Sequence, residues 1–209
     1  MRLTWFGHSS VRLEAGNQVI YIDPYAGPDS WYTPGSLILV SRFDFDHCSL
    51  EKIRRASNDG TVVLGTSEVA RAVFPSQVMH PGESRMFDGV EIVGMPCINP
   101  HVDRRNVAER ESAVGFVIVA EKKTVYYMAD SDFFPQIDAM RPDVLLISVG
   151  GTYTAAAKEA AQIAGAVSPK LAIPIHWGSI VGTRDDALLF SELANLPVKI
   201  LEPGEVLEI

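Results

Sequence analysis

Acidic and imidazole side chains in this sequence follow apolar runs. His8 follows Leu3–Phe6, Asp23 follows Val19–Ile22, and Asp44, Asp46 and His47 follow Leu37–Val40. Asn99 and His101 come after Val90–Met95, Asp130 and Asp132 after Val125–Met128, and His176 after Leu171–Ile175. Loops at strand ends can converge on one site held by a rigid scaffold. Carboxylates and imidazoles that converge in this way suit a divalent metal ion. Asp44-Phe45-Asp46-His47 is the densest group, and solvation alone does not explain so many donors directly after an apolar run. Asp130 and His176 lie at the ends of apolar runs, where an unpaired ionised group is costly. His8 and His101 read equally well as hydrogen-bonded structural residues. Asp23-Pro24 also reads as turn chemistry, and His80-Pro81-Gly82 as a surface turn.

Strands must position these donors. Leu3–Phe6, Val11–Leu13 and Val19–Ile22 read as strands, with Ala15-Gly16-Asn17 as the turn between the last two. Ser36–Val40 has the continuous apolar character of a buried strand. Thr61–Leu64, Val90–Met95, Val114–Val119, Val125–Met128, Val144–Ile147, Leu171–Ile175, Val198–Leu201 and Val206–Ile209 follow. Helical spacing fits Leu50–Ala56, Glu68–Phe74, Pro135–Met140, Ala155–Val167 and Asp185–Ala194. Strands dominate early and alternate with helices later, which predicts a layered α/β architecture. Val11–Glu14 and Val19–Asp23 align without a gap to Ile118–Glu121 and Tyr126–Asp130. The echo is either two generic hairpins or a duplicated β-rich half.

The chain has 209 residues, 47% hydrophobic and 21% charged, which is ordinary globular composition. Its formal charge of -8 argues against broad binding to a phosphate backbone, so no nucleic-acid partner is expected. Cys48 and Cys97 are too few for a disulfide framework. No secretory signal or membrane-length apolar run is visible. The expectation is a soluble cytoplasmic protein with no membrane partner, organised as a single domain over 1–209. Homo-oligomerisation stays open.

The sequence resembles the metallo-β-lactamase fold superfamily, and within it the small cytosolic metal-dependent hydrolases of the L-ascorbate-6-phosphate lactonase-like branch. The resemblance spans essentially the whole chain. It is carried by Trp5-Phe6-Gly7-His8-Ser9-Ser10, Ile22-Asp23-Pro24, Ser41 to Ser49, Met95-Pro96-Cys97-Ile98-Asn99, Ala129-Asp130-Ser131-Asp132, Gly150-Gly151-Thr152-Tyr153-Thr154 and Ile175-His176-Trp177-Gly178. It implies an αββα sandwich of the α/β class, with two β-sheets face to face, helices outside and an internal pseudo-two-fold.

The family's signature frame, His-x-His-x-Asp-His, reads here Arg42-x-Asp44-x-Asp46-His47. By resemblance, one metal site is intact as Asp46, His47, Asp130 and His176, and the other has lost both motif imidazoles. Asp44 is a further candidate ligand. The implied cofactor is one divalent ion, zinc first, with manganese or iron favoured by the carboxylates. The implied activity is a metal-dependent hydrolase using metal-activated water on a small anionic substrate, a phosphorylated sugar lactone or a phosphoester. In that reading Asp46, Arg42 and Tyr153 are the catalytic candidates: Arg42 meets an anionic group and Tyr153 orients substrate. The alternative is a degenerate member that binds a ligand or partner without turnover. The segment His101–Ser112 reads as an exposed loop or as a lid over the site.

Overall fold

The computed structural model describes residues 1–98, 113–132 and 140–209. The expected helix at 135–140 and the segment 101–112, with Asn99, fall largely or wholly outside these residues.

The chain opens with β1 (Arg2–Gly7), β2 (Ser10–Ala15), β3 (Gln18–Ile22) and β4 (Leu37–Val40). Then come α1 (Leu50–Ala56), β5 (Val62–Gly65), α2 (Ser67–Ala72) and β6 (Gln77–Val78). With β13 (Val206–Glu208), these strands form a sheet in the order β13-β1-β2-β3-β4-β5-β6. The second sheet is built from β7 (Ser84–Phe87), β8 (Val90–Pro96), β9 (Val114–Ala120), β10 (Lys123–Tyr127), β11 (Val144–Ser148) and β12 (Leu171–Ile175). Its order is β12-β11-β10-β9-β8-β7. Helix α3 (Ala157–Val167) joins β11 to β12, and α4 (Arg184–Leu193) follows β12.

The period-two pattern of the strands decides the layering. Leu3, Trp5, Leu13, Ile20, Ile22, Leu37 and Leu39 face inward and share one core with Ile92, Phe116, Ile118 and Val125 of the other sheet. Phe6, Tyr21, Ile38 and Val40 face outward and are covered by Ile53 and Ala56 of α1 and Val69 of α2. On the far side, α3 packs on β11 and α4 on β12. Ala157, Ala160, Ile163, Ala164 and Val167 form the buried stripe of α3 at helical spacing. The result is the expected αββα sandwich. No helix among the described residues is long and apolar enough to cross a membrane.

The internal echo has a topological counterpart. β2 pairs antiparallel with β3, which pairs parallel with β4 and through it with β5. β9, β10, β11 and β12 repeat that pattern. Asp23 after β3 and Asp130 after β10 therefore occupy matching places in the two halves.

Local signals explain most boundaries. Ser49 caps α1 by accepting from Lys52 N at 3.4 Å, and Thr66 caps α2 by accepting from Val69 N at 3.4 Å. α2 stops at Ala72, two residues before Phe74-Pro75, because the residue before a proline is pushed out of the helical region. The expected strand Val198–Leu201 is not one: Val198 makes only an isolated bridge to Ala172.

Candidate metal centre

Four residues just past the ends of β1, β3, β10 and β12 adopt left-handed backbone conformations: His8 (φ 49°), Asp23 (φ 46°), Ala129 (φ 55°) and His176 (φ 62°). For non-glycine residues each costs roughly 1–3 kcal/mol, and such positions cluster at functional sites. Here the turns aim side chains rather than continue the strands. His176 N donates to His8 O at 2.8 Å, which ties the end of β12 to the end of β1. Trp5 Nε1 also donates to His8 O, at 3.0 Å, and the Trp5 and Trp177 rings pack 4.7 Å apart beneath.

The side chains converge. His47 Nε2 lies 3.0 Å from Asp130 Oδ2 and 3.8 Å from Asp46 Oδ2. His176 Nε2 lies 3.3 Å from Asp130 Oδ1 and 3.6 Å from Asp46 Oδ2. His8 Nε2 lies 3.1 Å from Asp46 Oδ2, and its ring sits 3.8 Å from that of His176. Two donor groups result, His8–Asp46–His176 and His47–Asp130–His176. They share His176, whose Nε2 faces both carboxylates.

Asp23 fixes the orientation of His47. Its carboxylate accepts from Ser41 N (2.6 Å), Ser41 Oγ (2.5 Å), Tyr127 OH (2.6 Å) and His47 Nδ1 (2.7 Å). A buried carboxylate with this many donors is fully satisfied. With Nδ1–H held by Asp23, the Nε2 lone pair of His47 is directed into the cluster, the arrangement that outer partners impose on metal-binding imidazoles. Asp23→Asn is therefore expected to weaken metal binding about 10–100-fold. Tyr127→Phe should act in the same direction but more weakly. Competition with a chelator of known affinity measures both, and wild-type affinity in Asp23→Asn would contradict this role.

Electrostatics agree with a cation site. Burial works to raise the Asp130 carboxyl pKa, but His47, His176 and Arg42 outweigh it and hold it well below the usual range. Burial likewise opposes ionisation of Asp46, and the neighbouring His176 and His8 imidazoles overcome it. Burial lowers the pKa of His8. His47 is raised despite its burial, by Asp130 and Asp23, so without a cation it carries a proton that a metal must displace. His47 Nε2 and His176 Nε2 are buried beside carboxylate oxygens without an aligned hydrogen bond. Imidazole nitrogens and carboxylates in this disposition fit a divalent transition metal.

Arg42 is buried at the rim, with Nη1 3.4 Å from Asp130 Oδ2 and Nε 2.5 Å from Asp44 Oδ2. One sequence expectation needs correction. Asp44 joins neither donor group: its carboxylate is half-exposed and turned onto Arg42. The reason is the turn in which His47 N and Cys48 N both donate to Asp44 O (3.1 and 2.8 Å), which sends Asp46 and His47 inward and Asp44 outward. Tyr153, the expected substrate-orienting residue, is 57% exposed. His8, readable from sequence as either structural or functional, belongs to the cluster. Tyr127 was hidden inside an apolar strand pattern, where tyrosine looks like any core aromatic.

The fold and this donor cluster define a metallo-β-lactamase-type protein, and residues 2–176 match the beta-lactamase superfamily domain, to which the chain belongs. Over 100% of its length and 97% of the relative's, it is 30% identical to a UPF0173 metal-dependent hydrolase from Methanoculleus marisnigri. It is 28% identical, over 100% of both chains, to another from Pyrobaculum calidifontis. By family, then, the chain is a metal-dependent hydrolase. It also superposes on a metallo hydrolase from Ignicoccus hospitalis with a TM-score of 0.80 at 22% identity, covering 100% of this chain and 98% of that one. That last likeness bears on the fold.

Proposed function

We propose that this hydrolase works with a single divalent ion, zinc first and manganese or iron as rivals, on a small anionic substrate. Asp46, His47, Asp130 and His176 would hold the ion, and His8 anchors Asp46. The observation that carries this reading is the shared nitrogen: His176 Nε2 faces both Asp46 and Asp130. One lone pair ligates one ion, so the two donor groups describe one position. When bound, a divalent ion lowers the pKa of water and polarises the scissile oxygen.

The remaining chemistry belongs to the chain. Asp46 stays ionised and is the most exposed of the cluster's side chains, at 15%. It orients the attacking water by accepting its hydrogen bond. Arg42, its pKa raised by Asp130 and Asp44 against the effect of burial, keeps a permanent positive charge at the rim for an anionic substrate group. Exposed Tyr153 contacts the distal part of the substrate in this reading. A phosphorylated sugar lactone or a phosphoester is the substrate class carried by resemblance, and a cytoplasmic location by the absence of a disulfide framework.

The test is a panel of phosphorylated lactones, phosphomonoesters and phosphodiesters, assayed before and after chelation and after return of zinc, manganese or iron. Turnover of an anionic small substrate is expected to fall at least about 100-fold on chelation and to recover with one metal. Equal turnover in chelated protein would overturn the reading. A metal-loaded chain inert to the whole panel would favour ligand binding without catalysis.

A further inference from the structure

The loop that delivers Asp46 and His47 turns two phenylalanines outward: Phe45 is 70% exposed and Phe43 is 44% exposed. Leaving a phenyl ring in water forgoes the stabilisation that burial gives. The loop nevertheless holds Phe45 in place. Asp44 O accepts from His47 N and Cys48 N. The Asp44 carboxylate pairs with Arg42, and Ser9 Oγ donates to Asp46 O at 2.5 Å. Phe45 is thus pinned on both sides and presents its ring as a preorganised surface.

The ring is also connected to the cluster. Phe45 packs edge-on against Tyr25 with centroids 6.1 Å apart, and Tyr25 packs edge-on against His8 at 5.8 Å. A path of ring contacts therefore runs from a cluster residue to the surface. Asp46, adjacent to Phe45 in sequence, is the cluster's most accessible side chain, while His8, His47, His176 and Asp130 are almost wholly covered. Phe45 thus stands one residue from the cluster's most accessible side chain and reaches His8 through Tyr25.

Resting on the metal-hydrolase reading above, we propose that Phe45, backed by Tyr25, determines specificity by packing against an apolar arm, aromatic or alkyl, on the substrate. The anionic hydrolysable end of that substrate reaches the cluster and Arg42. A phosphorylated sugar lactone is polar throughout and would leave Phe45 in water in the complex as well, so of the two substrate classes above the ring favours a phosphoester with an aromatic or alkyl arm.

Acetohydroxamate and benzohydroxamate share one metal-binding head and differ in the ring, so their affinity ratio reads the platform directly. Calorimetric titration of metal-loaded wild type is expected to show benzohydroxamate binding about ten-fold tighter. Phe45→Ala should bring the ratio near one, and Phe45→Leu should restore part of it. Metal content is measured on each sample. A ratio unchanged in Phe45→Ala, or no preference in wild type, would overturn the proposal. So would light scattering that shows a dimer in wild type and a monomer in Phe45→Ala, which would assign the ring to a contact between copies. A wild-type chain that takes up no metal would instead overturn the metal reading, and this proposal with it.

Discussion

His176→Ala is expected to strip the protein of metal while leaving it folded. His176 is the one residue common to both donor groups, so its loss breaks each of them. The effect should exceed the roughly 10–100-fold cost of losing an outer partner. Its fold contribution is smaller, because the bond that ties β12 to β1 is made by the His176 backbone N–H to His8 O and survives the substitution. Trp177 also keeps its stack on Trp5. The left-handed backbone at position 176 is already paid for in wild type, so deletion of the buried ring is the main folding cost. His176→Gln, which keeps most of the volume and supplies a poor ligand, guards against a folding failure. Circular dichroism reports the fold, and metal titration reports the site. Wild-type metal affinity in either folded variant would remove His176 from the centre.

The second large effect concerns charge. A bound divalent ion would balance the Asp46 and Asp130 carboxylates, and Arg42 pairs with Asp44. Without the ion, Arg42 and a protonated His47 are what offset Asp130. Removing Arg42 leaves a buried acid short of one cation. Breaking a buried pair costs about 3–5 kcal/mol. Arg42→Ala should therefore lower the melting temperature of metal-free protein by roughly 6–20 °C. Metal-loaded protein should lose less, because the ion then compensates Asp130. Identical melting curves for wild type and Arg42→Ala, both metal-free, would show that Arg42 carries no structural charge.

Much of the scaffold was legible because burial writes itself into sequence. Ser36–Val40 reads as a buried strand and Leu37–Val40 is one, and the gap-free echo of Val11–Asp23 in Ile118–Asp130 matches a repeated sheet pattern. The donor positions were legible because Asp and His at the ends of apolar runs are expensive unless they are used. What failed depends on direction and distance. Asp44 and Asp46 are two apart and similar in type, but a turn closed by Asp44 O sends them opposite ways. Asp23 was readable as turn chemistry because its partners Ser41, His47 and Tyr127 are far away in sequence, Tyr127 by 104 residues. His8 stayed ambiguous because nothing in sequence places it against Asp46, across 38 residues.

The central claim is that Asp46, His47, Asp130 and His176 form one metal position, not two. Elemental analysis of protein purified without chelators, then equilibrated with excess zinc or manganese and desalted, tests it most directly. About one tightly held equivalent per chain is the predicted result, because the shared His176 nitrogen can serve only one ion. Retention of two equivalents, or of none, would contradict it.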